Sequence, residues 1–191
     1  MCGKESPFYD SALGDISFKS YCTKNGFSGV DIVYFLLTWN GQGVSYNTFD
    51  ITKGHFVYAA KMIDTLHKEY PNAIVRCMGI QMPSQCGGMG YIYGANGGYS
   101  EDYGMLVTAM NYNAALEDFC QQSKYKSFVK YVDVAGQFDT EYNMPAADKP
   151  VNNRSEVTEK SGTDGVHPSL SGYYQIADAA FRSLCEIFKE A

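Results

Sequence analysis

Three apolar segments of strand length, separated by segments with helical periodicity, constrain the fold of this chain more than any other feature of its sequence. Their continuous hydrophobicity is typical of strands that are buried on both faces of a parallel sheet. The predicted strands are residues 31–37 (DIVYFLL), 73–82 (AIVRCMGIQM) and 128–134 (FVKYVDV). A predicted helix follows each strand, at residues 52–70, 102–122 and 169–189. This order predicts an α/β fold with a parallel sheet and helices on both faces, because parallel strands require crossover connections.

The last predicted helix has an apolar stripe that we expect to face the core. The stripe consists of Ala177, Ala180, Phe181, Leu184, Ile187 and Phe188. Three other segments lack a clear periodic pattern. Residues 1–29 are short and irregular, residues 84–100 form a loop rich in glycine and tyrosine, and residues 136–163 form a long polar connection.

Composition and charge exclude several classes of protein. The chain has 191 residues, the size of one domain, and a net charge of −6. It contains no block of lysine and arginine, so we expect no nucleic-acid partner. No apolar run approaches the ~18 residues of a membrane span, and no apolar signal peptide is visible at the start. The six cysteines form no CxxC pair, which argues against a zinc ribbon, and we expect buried thiols at Cys77 and Cys120.

The strongest local motif is residues 163–169 (TDGVHPS), in which Asp164 precedes His167 by three residues on a glycine turn that leads into the last helix. A histidine in this position can act as a general base, and the carboxylate can fix its tautomer and stabilise the imidazolium. The same spacing also fits an aspartate that caps the turn beside a surface histidine. A metal site would need further converging ligands, so we expect neither a metal nor a cofactor.

Two segments resemble conserved blocks of the SGNH/GDSL hydrolases. Residues 164–179 (DGVHPSLSGYYQIADA) resemble the last block of that family, and residues 31–41 (DIVYFLLTWNG) resemble its third block. The resemblance covers most of the chain and implies a flavodoxin-like three-layer fold with serine ester hydrolase activity. It also implies that Asp164 is the triad acid, that His167 is the base and that Asn40 donates its side-chain amide to the oxyanion hole.

The chain departs from the family pattern in two places. In the third block, Thr38 replaces the usual glycine and Gly41 replaces the usual aspartate, so Asn40 could instead cap a turn. In addition, no segment before the first predicted strand fits the G-D-S block that carries the nucleophile serine, or the glycine block that follows it. We therefore expect residues 1–191 to form one SGNH-like domain that is incomplete at its N-terminus, with N-terminal strands of the sheet missing.

Ser17 is the nearest candidate for a nucleophile, in the segment 14–17 (GDIS). This segment has one residue too many, and no apolar strand leads into it, whereas a nucleophile serine needs a strand-to-turn elbow. We therefore expect Ser17 to belong to the loop and helix before the first predicted strand. Without the missing strands, residues 31–37 become a sheet edge, and we expect a homodimer or a partner chain along it.

The resemblance favours a carbohydrate O-acetyl esterase whose substrate is a small ester or an acetylated glycan. We expect Trp39, Tyr91 and Tyr93 to contact that substrate, because flat aromatic rings with polar tips stack on sugars. Two alternatives stay open at this point: a non-catalytic glycan-binding or phage structural module on a degenerate hydrolase fold, and a truncated product of a longer enzyme. The family resemblance favours an extracellular, periplasmic or virion-associated location.

Overall fold

The computed structural model describes residues 2–36, 49–83 and 102–190 of the chain, and the structural statements below concern those residues. The first half contains two short strands, one short helix and then alternating strands and helices. These elements are β1 (Tyr9–Asp10), β2 (Asp15–Ile16), α1 (Phe18–Lys24), β3 (Ile32–Leu36), α2 (His55–Glu69), β4 (Ile74–Met78), α3 (Asp102–Gln121) and β5 (Val129–Val132). The predicted irregular segment 1–29 therefore contains a small antiparallel hairpin and a helix.

The central sheet is parallel and has the strand order β3–β4–β5. Backbone hydrogen bonds run from the N–H of Ile74 to the carbonyl of Asp31 at 2.8 Å, and from the N–H of Val75 to the carbonyl of Phe128 at 2.9 Å. The three strands and the three long helices are those that the sequence predicts, with ends that differ by a few residues. The α/β fold with a parallel sheet is therefore confirmed.

The segment after β5 contains structure that the sequence did not reveal. It holds a short 3₁₀ helix (Ala135–Gln137), an antiparallel hairpin of β6 (Ala146–Pro150) and β7 (Thr158–Gly162), and the final helix α4 (Leu170–Glu190). The interpretation of residues 136–163 as a connection without periodicity was incomplete. All five residues of β6 are exposed, so this strand has no buried face that would produce an alternating pattern of hydrophobicity.

The described residues form two compact units, each with its own apolar interior. The first unit comprises Met1–Phe35, Asp50–Cys77 and Ala115–Tyr131, and the second comprises Leu36–Phe49, Met78–Ala114 and Val132–Ala191. In the first unit, Phe56, Ile63, Leu66, Val75, Leu116, Phe119 and Val129 are almost fully buried. Cys77 and Cys120 are buried free thiols in the same interior, as the sequence predicts.

In the second unit, α4 buries a different face from the one that the sequence predicts. Its buried residues include Ile176, Ala179, Ser183 and Ile187. Of the predicted inner residues only Ile187 is buried, whereas Phe181 is 63% exposed, Phe188 is 70% exposed and Ala177 is also exposed. The predicted face was wrong because α4 carries apolar residues on two opposite sides, and periodicity alone does not say which side the rest of the chain covers.

The side chain of Asn113, on α3, is hydrogen-bonded to the backbone just beyond the carboxyl end of β4, as a neighbouring strand would be. Its Oδ1 atom accepts the backbone N–H of Ile80 at 2.9 Å, and its Nδ2 atom donates to the backbone carbonyl of the same residue at 2.9 Å. Ile80 is fully buried and Asn113 is 7% exposed. Both backbone groups would lack a partner without the amide, so this side chain fixes the course of the chain beyond β4.

We expect Asn113→Leu to lower the free energy of unfolding by about 3 kcal/mol, because two buried backbone groups of Ile80 lose their hydrogen bonds. Urea unfolding followed by circular dichroism measures this change. Asn153→Leu is the matched control, since Asn153 is exposed in the β6–β7 hairpin, and its effect should stay within about 0.5 kcal/mol. Equal losses in the two variants would contradict the structural role of the Asn113 amide.

Candidate active site

Asp164 and His167 lie in the turn between β7 and α4, and their side chains are hydrogen-bonded to each other. The Nδ1 atom of His167 is 2.8 Å from Oδ2 of Asp164. The other carboxylate oxygen, Oδ1, accepts the backbone N–H of Val166 at 2.8 Å and that of His167 at 2.9 Å. Asp164 therefore caps the turn and also holds the imidazole, so the geometry is compatible with both interpretations of this motif.

Contacts from outside the turn fix its backbone. The Nε2 atom of Gln81, just beyond β4, donates to the carbonyl of Val166 at 2.7 Å, and this hydrogen bond is buried. The backbone N–H of Thr163 donates to the carbonyl of Pro145 at 2.8 Å. The backbone N–H and the hydroxyl of Ser169 both donate to one carbonyl, that of Asn143, each at 2.9 Å. The position of the Asp164–His167 pair is thus set by two separate segments, the one that contains Gln81 and residues 143–145.

The first turn of α4 packs so closely against the preceding segment that only glycine fits there. A Cβ atom on Gly172 would overlap the backbone carbonyl of Asn143 and lie 2.7 Å from Cβ of Pro168. The ring of Phe138 lies at the same place, at 3.1 Å. This close approach lets the segment 138–144 support the start of the helix directly after His167.

The charge on Asp164 is stabilised by its hydrogen bonds. Partial burial by itself raises the pKa of this carboxyl group, but the backbone N–H groups of His167 and Val166, together with the His167 ring, outweigh burial and lower the pKa below its ordinary value of 3.8. Asp164 is therefore ionised at neutral pH. The side chain of Asp164 is 28% exposed.

The His167 ring is hydrogen-bonded to the Asp164 carboxylate through Nδ1, and most of its side chain is exposed. Because Nδ1 faces an ionised carboxylate, the neutral ring carries its proton on Nδ1, an assignment that follows from the hydrogen bond. The lone pair of Nε2 is then available to accept a proton. The side chain is 65% exposed, so a reacting group can approach it from solvent.

Ser17 has a structural role, as the sequence predicts. It is the N-cap of α1, where its hydroxyl oxygen accepts the backbone N–H of Ser20 at 3.0 Å. The same hydroxyl donates to Oε1 of Glu69 at 2.7 Å, and Ser17 is 2% exposed. A buried hydroxyl that is occupied in both directions is unsuited to attack an ester.

Several predicted site residues lie outside the described residues: Asn40, Trp39, Tyr91 and Tyr93. Among the described strands, β4 is connected to the Asp164–His167 turn through Gln81, just beyond its end. Sequence reasoning did not single out Gln81. The available signal was a polar residue near the end of the apolar segment 73–82. Burying an amide without a hydrogen bond costs free energy, so a buried glutamine there is expected to have a partner.

Comparison with known proteins supports the fold. No protein-family model matches the chain, and no curated protein matches its sequence. Among solved structures, the chain is similar to "The structure of a putative platelet activating factor from Streptococcus pneumonia", with a TM-score of 0.55 and 17% identity over 92% of this chain and 68% of that chain. It is also similar to "The crystal structure of a possible lipase from Chitinophaga pinensis DSM 2588", with a TM-score of 0.49 and 14% identity over 88% of this chain and 76% of that chain.

The likeness to the first of these structures concerns the fold alone. It supports an α/β fold with the parallel sheet and the long helices described above. None of the helices in residues 2–36, 49–83 and 102–190 combines the length and the hydropathy needed to cross a bilayer. The same residues contain no cluster of three or more histidine, cysteine, aspartate or glutamate side chains that could hold a metal ion.

We expect the stability that Asp164 contributes to depend on pH. The pKa of Asp164 is lowered in the folded state, so its contribution is present above about pH 4, the range of an unfolded aspartate, and is lost as pH falls through the folded pKa. The difference in unfolding free energy between the wild type and Asp164→Asn should therefore be largest at neutral pH and shrink at acid pH. Urea titrations across this range measure it.

His167→Ala is the control for this pH dependence. It removes the ring but keeps the two backbone hydrogen bonds to Oδ1 of Asp164, which lower the pKa more than the ring does. We expect this variant to retain most of the pH dependence that Asp164→Asn loses. A difference between the wild type and Asp164→Asn that is constant with pH would contradict the lowered pKa.

Proposed function

We propose that this chain carries the acid–base part of a serine ester hydrolase site of the SGNH/GDSL type. The observation that supports the proposal is the Nδ1–Oδ2 hydrogen bond of 2.8 Å between His167 and Asp164, on a turn that other segments hold in place. In this arrangement His167 is the general base and Asp164 is the residue that orients it. Asn40 is proposed as an oxyanion-hole donor on the basis of the family resemblance.

The chemistry follows from the protonation state of the pair. In the proposed reaction, a serine hydroxyl attacks the ester carbonyl while its proton moves to Nε2 of His167. The ionised carboxylate of Asp164 stabilises the imidazolium that forms, without taking a proton itself. The imidazolium then gives that proton to the leaving alcohol, and an acyl-enzyme remains. Water, deprotonated in turn by Nε2, hydrolyses the acyl-enzyme and releases the acid.

We propose that the nucleophile comes from outside the described residues. Within residues 2–36, 49–83 and 102–190, the side chain of His167 is hydrogen-bonded to Asp164 and to no serine. We propose that a partner strand pairs along the edge of β3 and completes the sheet. Two observations favour this: β3 lies at one end of the strand order, and a cavity of about 420 Å³ beside it is lined by aromatic side chains, among them Phe8, Phe18 and Phe27.

The proposed substrate is an ester of a small acyl group, with an acetylated carbohydrate as the specific case. The exposed ring of His167 suits a substrate that reaches the pair from solvent. Trp39, Tyr91 and Tyr93 are proposed to contact the sugar, on sequence grounds. The identity of the acyl group is a separate part of the proposal. The acid–base chemistry of Asp164 and His167 does not depend on it.

Labelling with a fluorophosphonate, followed by intact mass measurement, tests for an activated serine. In the assembly that includes the partner strand, we expect one adduct with the wild-type chain and none with His167→Ala, because an unactivated serine reacts slowly. Hydrolysis of 4-nitrophenyl acetate should fall at least ~10³-fold in His167→Ala and about 10⁴-fold in Asp164→Asn. Asp178→Asn is the matched control, since Asp178 is exposed on α4, and it should retain full activity.

Each part of the proposal has its own contradicting result. Turnover that is unchanged in His167→Ala would remove the proposed role of His167. Absence of both labelling and turnover, together with retained binding of an acetylated glycan, would favour the alternative of a non-catalytic glycan-binding or phage structural module. That alternative is favoured by one observation: among the described residues, no serine hydroxyl is hydrogen-bonded to the His167 side chain.

A further inference from the structure

The peptide group between Val166 and His167 is held by a hydrogen bond at each of its two polar atoms. At its carbonyl, Nε2 of Gln81 donates at 2.7 Å, and this hydrogen bond is buried. At its N–H, the backbone nitrogen of His167 donates to Oδ1 of Asp164 at 2.9 Å. A single peptide group therefore connects the amide of Gln81 with the carboxylate of Asp164.

The orientation of this peptide group determines the direction of the imidazole. The peptide bond is planar, so its carbonyl and its N–H turn together when the plane rotates. On the other side of His167 lies Pro168, whose ring restricts the backbone of His167 toward extended conformations. Since both sides of His167 are constrained, its Cα–Cβ bond has a defined direction.

Gln81 belongs to a buried segment that is itself fixed at several points. It is 5% exposed and follows Ile80, whose backbone N–H and carbonyl are both hydrogen-bonded to Asn113. One residue earlier, the backbone N–H of Gly79 donates to the carbonyl of Val132, on β5, at 2.9 Å. The amide of Gln81 therefore extends from a backbone that has little freedom to move.

We propose that Gln81 is a positioning residue for the Asp164–His167 pair and acts through the peptide group between Val166 and His167. Its effect on turnover rests on the proposed function, because only a reacting imidazole has a rate to lose. The side chain of Gln81 lies in the interior, whereas that of His167 is 65% exposed. Gln81 therefore acts on the pair from behind and not on a substrate.

Removal of the Gln81 amide affects both hydrogen bonds of this peptide group. The carbonyl of Val166 would be left buried without this donor, which is unfavourable, and rotation of the plane would bring the carbonyl toward water. The same rotation turns the N–H of His167 away from Asp164. A hydrogen bond at a carbonyl also polarises the N–H of the same peptide group, so its loss weakens the bond to Asp164 even without rotation.

An NMR titration of the Asp164 carboxyl group in Gln81→Met tests the inference without any turnover. Methionine is close to glutamine in length and lacks a donor. Partial burial raises the pKa of Asp164, but the hydrogen bonds from His167 and Val166 outweigh burial and lower it below 3.8. With the N–H of His167 displaced, we expect the pKa of Asp164 to be higher in Gln81→Met than in the wild type.

Gln122→Met is the matched control, because it removes the same kind of hydrogen bond in the other compact unit. Nε2 of Gln122 donates to the backbone carbonyl of Phe119 at 3.1 Å. Asp164 should titrate in this variant as it does in the wild type. Circular dichroism verifies that each variant is folded. If Gln81→Met does not fold, Gln81→Asn replaces it, since asparagine keeps an amide but is one methylene shorter.

Steady-state hydrolysis of 4-nitrophenyl acetate measures the kinetic consequence, in the assembly that includes the partner strand. We expect kcat to fall roughly 10- to 100-fold in Gln81→Met with little change in KM, because the base is misplaced while no substrate contact is removed. Gln122→Met should keep both constants. A residue with a purely structural role would lower stability without this separation of kcat from KM.

The results distinguish a failure of this inference from a failure of the proposed function. An unchanged pKa of Asp164 in folded Gln81→Met would overturn the inference, whether or not the wild type hydrolyses esters. A fall in kcat that is equally large in Gln122→Met would also overturn it. A raised pKa of Asp164 in Gln81→Met, combined with a wild type that has no turnover, would support the positioning of the pair and remove the proposed hydrolysis.

Discussion

One buried hydrogen bond, from the amide of Gln81 to the carbonyl of Val166, connects the segment after β4 to the turn that carries Asp164 and His167. The amide of Asn113 fixes that same segment one residue earlier, at Ile80. Neither amide touches the imidazole, yet together they determine where the turn lies. A pair of side chains held in this way has little conformational freedom to lose, which is the physical basis of preorganisation.

The main features of the fold could be predicted because they rest on burial. The apolar strands and the long helices follow from hydrophobic patterns that a parallel sheet imposes, and the Asp164–His167 contact follows from short-range spacing. The β6–β7 hairpin could not be predicted, because its first strand, residues 146–150, is exposed throughout and includes Pro150. Gln81 was missed for a different reason, since its partner Val166 is 85 residues away along the chain.

The buried side of α4 was predicted wrongly, and the error is itself informative. The predicted stripe was the more strongly aromatic side of the helix, with Phe181 and Phe188, and hydrophobicity alone would place such residues in a core. In the structure that side is exposed, while the smaller residues Ala179 and Ser183 are buried. The hydrophobicity of a helix face therefore does not by itself identify the face that the described part of the chain covers.

A backbone hydrogen bond joins the two ends of the β6–β7 hairpin, and it limits how a change in the hairpin affects the rest of the chain. Pro145 precedes the hairpin and Thr163 follows it, and their backbone hydrogen bond of 2.8 Å joins the two ends. Whatever the length or composition of the loop between them, the chain returns to the same point, one residue before Asp164. The hairpin can therefore change in length or composition without moving the start of the turn that holds Asp164 and His167.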